Sequence, residues 1–168
     1  MYYAQIRKYD IANGPGIRST LFVSGCTHDC KGCFNRAFMK FNYGNPWTKE
    51  VEAQFLEMIA DSQVKGVTIL GGEPMDQIQD DDLLSLLQRI KSETGKNIWL
   101  YSGYTYEQIL QHDKRQKILS FCDVLVDGLF VLALKDLKLR FKGSSNQRII
   151  DVQQSLGNNE IQLLAGYE

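Results

Sequence analysis

The stretch Gly66-Val67-Thr68-Ile69-Leu70-Gly71-Gly72 decides the fold. It is a short apolar, partly β-branched run that stops abruptly at two glycines, which reads as a strand and its end. The run does not alternate apolar with polar residues, as expected of a parallel strand covered on both faces. Before it, Val51, Phe55, Met58 and Ile59 recur at helical spacing behind Thr48, a capping residue. After it comes a second helix, opened by Asp80 to Asp82, buried through Leu83, Leu87 and Ile90, and stopped at Gly95. Ile17 to Val23 reads as an earlier strand. Asn97 to Tyr101 and Asp123 to Val126 read as later ones, the last turning at Asp127-Gly128. Thr105-Tyr106-Glu107-Gln108 has the form of a capping box and starts more helix, interrupted near His112-Asp113.

Strands alternating with helices imply parallel pairing through right-handed crossovers. A closed eight-fold barrel takes ~250 residues. A chain of 168 residues has room for only part of one. Open barrel and open sheet both satisfy the pattern. The fold expected is α/β, a partial, open β/α barrel with parallel strands. It forms a single domain over residues 1–168, with a basic segment at 135–148 and a tail at 149–168.

Composition removes several classes of function. The 19 basic and 20 acidic residues leave a net charge of −1, without the basic excess of a general nucleic-acid binder. No apolar stretch approaches the ~18–20 residues that span a bilayer. The start, Met1-Tyr2-Tyr3, lacks the basic and apolar regions of a signal peptide. A cytoplasmic protein is expected, where thiols stay reduced. Its four cysteines, three of them crowded together, then indicate a metal or redox site.

The crowded three form Cys26-Thr27-His28-Asp29-Cys30-Lys31-Gly32-Cys33. A loop wrapped around a cluster can present all three thiols, whereas a regular strand or helix cannot. Thiolates are soft, anionic ligands suited to iron–sulfur clusters. Three of them on a cubane of four irons leave one iron open, and an open position separates a reactive metal from a structural one. Three other readings stay open on these residues alone. One is a zinc site completed by His28 or Cys122; Cys122, beside a strand, suits a small buried hydrophobe better. Another is a redox pair, Cys30 with Cys33, which leaves Cys26 unexplained. The third is a chance cluster of thiols.

Gly-Gly-Glu-Pro at 71–74 follows the next strand, and adjacent glycines there let backbone come close to a ligand. A Cys-x3-Cys-x2-Cys loop after one strand and Gly-Gly-Glu-Pro after the next resembles the radical S-adenosylmethionine superfamily. Asn13-Gly14-Pro15-Gly16-Ile17-Arg18, Ser24-Gly25-Cys26 and Cys33-Phe34-Asn35 are similar to the glycyl-radical activating enzymes. Tyr101-Ser102-Gly103-Tyr104, Val124 to Gly128 and Gly143-Ser144-Ser145-Asn146-Gln147-Arg148 resemble the branch that activates anaerobic ribonucleoside-triphosphate reductase. The resemblance covers about Tyr9 to Arg148 and leaves the tail outside.

What the resemblance implies is a radical oxidoreductase with a [4Fe–4S] cluster on Cys26, Cys30 and Cys33 and S-adenosylmethionine as cofactor. It implies a glycyl radical made on the large subunit of the reductase, with flavodoxin or ferredoxin as electron donor. Gly71, Gly72 and Glu73 would shape the methionine end of the pocket, with Gly32, Cys33 and Phe34 near the adenine. Ser102 and Asp127 are candidates for ribose or carboxylate contacts. Arg18, Lys138 and Arg140 are candidates for facing the partner or the donor, and the basic segment for docking an acidic partner, or simply solvent. No general acid–base pair or nucleophile is evident. His28 reads as a loop-packing residue, and His112 as an exposed helix-end residue. Leu70 stands where related enzymes usually carry serine or threonine, Leu129 where many carry a basic residue, and Tyr101 where tryptophan is expected. Rival functions are activation of another glycyl-radical enzyme, such as pyruvate formate-lyase, and a non-enzymatic iron–sulfur or zinc adaptor.

Overall fold

Strands β2 (Arg18–Val23) and β4 (Gly66–Gly71) are buried at every position, as their composition requires of a sheet covered on both sides. In the computed structural model, which describes residues 1–168, they pair in parallel, Leu21 opposite Ile69 and Val23 opposite Gly71. Strands β5 (Asn97–Ser102) and β6 (Val124–Asp127) extend the parallel sheet in chain order. On one side lie β1 (Tyr2–Asp10) and the short β3 (Asn45–Pro46); on the other lies β7 (Arg148–Asp151). These outer strands are antiparallel to their neighbours. The open sheet has seven strands in the order β3-β1-β2-β4-β5-β6-β7.

The expectation of parallel strands therefore holds only for the four central ones. The β1–β2 connection carries no helix, and a parallel return needs a crossover of roughly a dozen residues or more. The sequence reading missed β1 and β7. Strand β7 brings the start of the tail into the sheet, and Leu164 N donates to Ile149 O at 2.8 Å as the tail returns beside it.

All the principal helices pack on one face. They are α1 (Lys49–Ile59), α2 (Asp82–Arg89), α3 (Tyr106–Leu110), α4 (Asp113–Ser120) and α5 (Val152–Asn158). Their apolar sides meet Leu21, Val23, Val67, Ile69, Ile98, Leu100, Leu125 and Ile150 in a core of 25 buried residues. The start of each helix follows from local chemistry. Thr48 Oγ1 accepts from Val51 N, and Thr105 and Gln108 form a reciprocal capping box. After α2, the chain makes one wider turn, Ile90–Thr94, and stops at Gly95 in the left-handed conformation, φ 63°. His112 breaks the helical stretch and caps α4. No helix is long and apolar enough to cross a membrane.

The opposite face of the sheet is covered differently. Trp99, Val124, Val126 and Ile149 form a small cluster there, closed by Phe141 and by Leu164 and Tyr167 of the tail. The segment between β6 and β7 lies across this face. Lys138 and Arg140 are exposed on it.

Arg18 is not at a docking surface. Only 2% exposed, it plugs the N-terminal end of the parallel strands. Its guanidinium donates to Thr68 Oγ1 at 2.8 Å, Val67 O at 2.9 Å and Asn97 Oδ1 at 2.9 Å. Loss of water lowers its pKa to about 10, still charged at neutral pH. The sequence left Arg18 as a candidate for facing the partner, the donor or solvent; the strand register carries it inside.

Candidate functional site

The parallel strands end together, and the loops that follow them meet. Val23 is opposite Gly71, and Ser102 opposite Asp127, so the cysteine loop, Gly71-Gly72-Glu73, Ser102-Gly103 and Asp127-Gly128 share one edge. This is where ligands bind in sheets of this kind. A cavity of about 500 Å³ opens there, lined by Cys26, Cys30, Cys33, Phe34, Gly71, Gly72, Glu73 and Ser102 among others. Gly32 and Asp127 do not line it.

The two glycines serve the protein's own backbone first. Glu73 N donates to Gly25 O at 2.7 Å, and Gly72 N to Val23 O at 2.8 Å. A Cβ at position 72 would lie 2.5 Å from Gly25 O, and one at 71 would lie 2.6 Å from Val23 O. On this side of the two glycines the close approach is made by the end of β2 and by Gly25 at the start of the cysteine loop. Gln77 secures the same junction by donating to Ser24 O at 2.9 Å.

Glu73 is 1% exposed and its carboxylate is taken up inside the protein. Oε1 accepts from Met75 N at 2.9 Å and Ser102 Oγ at 2.7 Å, and Oε2 from Gly103 N at 2.7 Å. His28 Nε2 stands 3.1 Å from Oε2, at an angle that leaves this buried nitrogen without a proper hydrogen bond. The Glu73 carboxylate raises the His28 pKa, against the opposing effect of burial. His28 also packs edge-on against Tyr104, ring centres 4.5 Å apart. Asp127, 1% exposed, accepts from Tyr106 N at 2.7 Å and from Arg148 Nε at 3.0 Å. Both carboxylates thus hold loops in place.

Residues the sequence reading overlooked complete the site. Asp76, just past Gly-Gly-Glu-Pro-Met, accepts from Thr27 N and Thr27 Oγ1, both at 2.8 Å. Tyr104 and Arg115 reach its other oxygen. Phe130, Leu139 and Phe141 supply an apolar wall, with Leu70 and Tyr101 on the sheet itself. An acid so close to the Gly-Gly-Glu motif was the one available signal for Asp76.

The donor set fits an iron–sulfur cluster. The three thiols are half-buried and line one cavity, and the turn from Cys30 to Cys33 is closed by Cys33 N donating to Cys30 O at 3.1 Å. No three His, Cys, Asp or Glu side chains converge on a point that would hold a single ion; a cubane takes its thiolates on separate irons. The two buried polar atoms without partners, Ser24 Oγ and His28 Nε2, lie just before this loop and within it. Burial foremost, with Glu73 and Asp76 nearby, pushes the Cys26 thiol up to about 12. Burial raises Cys30 as well. Positive iron favours the thiolates that this environment otherwise disfavours. Cys122 lies in the helix-side core, donating to Ile118 O at 3.6 Å.

Residues 12–150 match the family model of the 4Fe-4S single cluster domain. Over 150 residues the chain is 43% identical to the anaerobic ribonucleoside-triphosphate reductase-activating protein of Escherichia coli K12, covering 88% of this chain and 96% of that protein. The chain belongs to the anaerobic ribonucleoside-triphosphate reductase-activating protein family. Other activating proteins of this family show the same extent of match. That of Vibrio cholerae is 41% identical over 152 residues, 89% of this chain and 97% of its own. That of bacteriophage T4 is 35% identical over 150 residues, 89% of this chain and 93% of its own. In this activating-protein family member the cofactor is an iron–sulfur cluster.

Proposed function

We propose that this protein is the activating enzyme of an anaerobic ribonucleoside-triphosphate reductase, in which Cys26, Cys30 and Cys33 hold a [4Fe–4S] cluster with one open iron. The observation that carries the reading is the meeting of those three thiols with Gly71-Gly72 at one cavity on the C-terminal edge of the parallel strands. The relatives' shared name supports the reductase as target. Held there by Cys26, Cys30 and Cys33, such a cluster would supply the electron for reductive cleavage of S-adenosylmethionine, chemistry that would serve to remove hydrogen from a glycine of the reductase.

The chain's own residues bind and shield. Gly71 and Gly72, which line the cavity, would shape the methionine end of the pocket, while Glu73 and Ser102 brace the strand ends behind it. Phe34, which lines the cavity, would border the adenine, and Gly32 (φ 75°) turns the chain behind it. Asp127 acts through the position of the loop after β6. Phe130, Leu139 and Phe141 keep water from a reactive intermediate. The exposed basic residues Lys138 and Arg140 face the acidic partner or donor. Flavodoxin or ferredoxin supplies the electron, in the cytoplasm.

Four parallel strands in chain order, with every principal helix on one face, wind as a β/α barrel does. That supports the reading of one domain over residues 1–168 as an incomplete, open barrel whose basic segment and tail close the uncovered face.

The test is anaerobic reconstitution with iron and sulfide, reduction, addition of S-adenosylmethionine and quantification of 5′-deoxyadenosine. The native chain should form it, and the chain with Cys26, Cys30 and Cys33 all changed to alanine should not. Mixing with the reductase should then yield a glycyl radical seen by electron paramagnetic resonance. A native protein that carries one zinc and no sulfide sinks the reading.

A further inference from the structure

The turn after β4 places a buried acid against Thr27, the residue that follows the first cysteine of the loop. Asp76 is 4% exposed. Its Oδ2 takes two hydrogen bonds from the residue that follows Cys26, Thr27 N and Thr27 Oγ1, each 2.8 Å long. Its Oδ1 accepts the Tyr104 hydroxyl at 2.7 Å and faces Arg115 Nη2 at 3.4 Å. Arg115 is held in turn by Met75 O at 2.9 Å and by the Tyr104 ring, 4.0 Å from its centre. The neighbouring carboxylate, Glu73, is taken up by Met75 N, Ser102 Oγ and Gly103 N. The cysteine loop therefore rests on a fixed negative charge, offset by one fixed positive charge reaching in from α4.

We infer that Asp76 is a positioning residue for the cluster and that the Asp76–Arg115 pair sets its reduction potential. The inference rests on the cluster assignment proposed above. Two effects follow from one side chain. The bonds to Thr27 fix the first peptide after Cys26, and so the direction from which its sulfur approaches the iron. The carboxylate also opposes the addition of an electron to a cluster bound there, and Arg115 opposes that effect. Net charge and hydrogen bonding around a cluster are what tune its potential. A strongly reducing cluster is what cleavage of a sulfonium demands.

Charge and scaffold are separable by substitution. Asp76→Asn keeps the shape and removes the charge, and Arg115→Met removes the opposing charge. Arg115→Lys keeps the positive charge, and Thr27→Val removes one bond without changing any charge. Each reconstituted protein is assayed for iron and sulfide, then titrated redox-potentiometrically without S-adenosylmethionine, reading the reduced-cluster resonance.

Asp76→Asn is expected to shift the midpoint to more positive potential and Arg115→Met to more negative potential. Arg115→Lys should stay beside the native value. Thr27→Val should lose iron to a chelator faster than the native protein at an unchanged midpoint. Midpoints of Asp76→Asn and Arg115→Met that coincide with the native value, or move in the same direction, overturn the inference. Should Asp76→Asn take up no cluster, Arg115→Met against Arg115→Lys still decides the sign. A native chain that takes up no iron and sulfide refutes the cluster assignment itself and this inference with it, whereas full clusters without shifts refute this inference alone.

Discussion

Ser102 donates its hydroxyl to Glu73 Oε1 at 2.7 Å, joining the ends of the neighbouring parallel strands β5 and β4 in the interior of the protein. With Gly103 N and Met75 N on the same carboxylate, this bond makes the floor of the cavity rigid. Glu73→Gln offers one acceptor oxygen where the native side chain has two, so at least one buried donor is left without a partner. The expected cost is about 2–3 kcal/mol, with about 1 kcal/mol for Ser102→Ala. A double-mutant cycle by urea denaturation of the cluster-free chain should return clear coupling between the two positions; strict additivity would refute a shared bond.

Arg148 is the counter-ion of Asp127, which is almost fully buried, and it also reaches Glu107 Oε2 at 2.8 Å. Arg148→Ala leaves the Asp127 carboxylate with only the Tyr106 amide. Removing one partner of a buried pair is expensive, and the partial exposure of Arg148 reduces the expected loss to about 2–4 kcal/mol. Thermal unfolding should show it. Arg148→Lys, which cannot make the two-point contact, should fall between. A melting temperature equal to that of the native chain would show that this pair contributes nothing.

The Glu107 side chain is 56% exposed, yet Arg148 holds its carboxyl down from an ordinary value of 4.5 to about 2. The folded-state pKa lies below the unfolded one, so the contribution is complete above about 4.5 and fades as pH falls toward about 2. The native chain should therefore be more stable than Glu107→Gln at neutral pH, with the gap closing across that acid window. Urea midpoints measured from pH 7 downward would show it. A gap that widens on acidification contradicts the assignment.

Two glycines separate packing from conformation. A Cβ at Gly72 collides with Gly25 O at 2.5 Å, whereas one at Gly157, inside α5, meets nothing within 4 Å. Gly72→Ala should disrupt the junction with the cysteine loop, and cluster uptake should drop with it. Gly157→Ala should stabilise the chain by about 0.5–1 kcal/mol, the usual difference between these residues within a helix. Equal effects at the two positions would mean that the close approach at Gly72 is not a constraint.

Much of the fold was legible because its signals are local. Thr48 and Thr105 announce helix starts, Gly95 a stop and His112-Asp113 a break, and each is where the structure has it. The first strand escaped notice because Tyr2 to Asp10 is half exposed and carries charged side chains. The last strand lies in a stretch read as a basic surface and a tail, and only its bonds to β6 make Arg148–Asp151 a strand.

By itself the sequence determined that three thiols share one loop, that a glycine pair ends the next strand, and that apolar runs alternate with amphipathic stretches. These are properties of neighbours along the chain, set by spacing, propensity and capping. Tertiary structure decided what the charged residues do. Arg18 lies beneath the sheet because register puts Val67 and Asn97 around it. Glu73 and Asp127 face inward because Ser102, Gly103 and Arg148 arrive there from other strands. Asp76 stands under the cysteine loop because the β2–β4 pairing brings its turn against Thr27. A buried charge is tolerated only where donors from remote segments meet it, and no local pattern records which segments will meet.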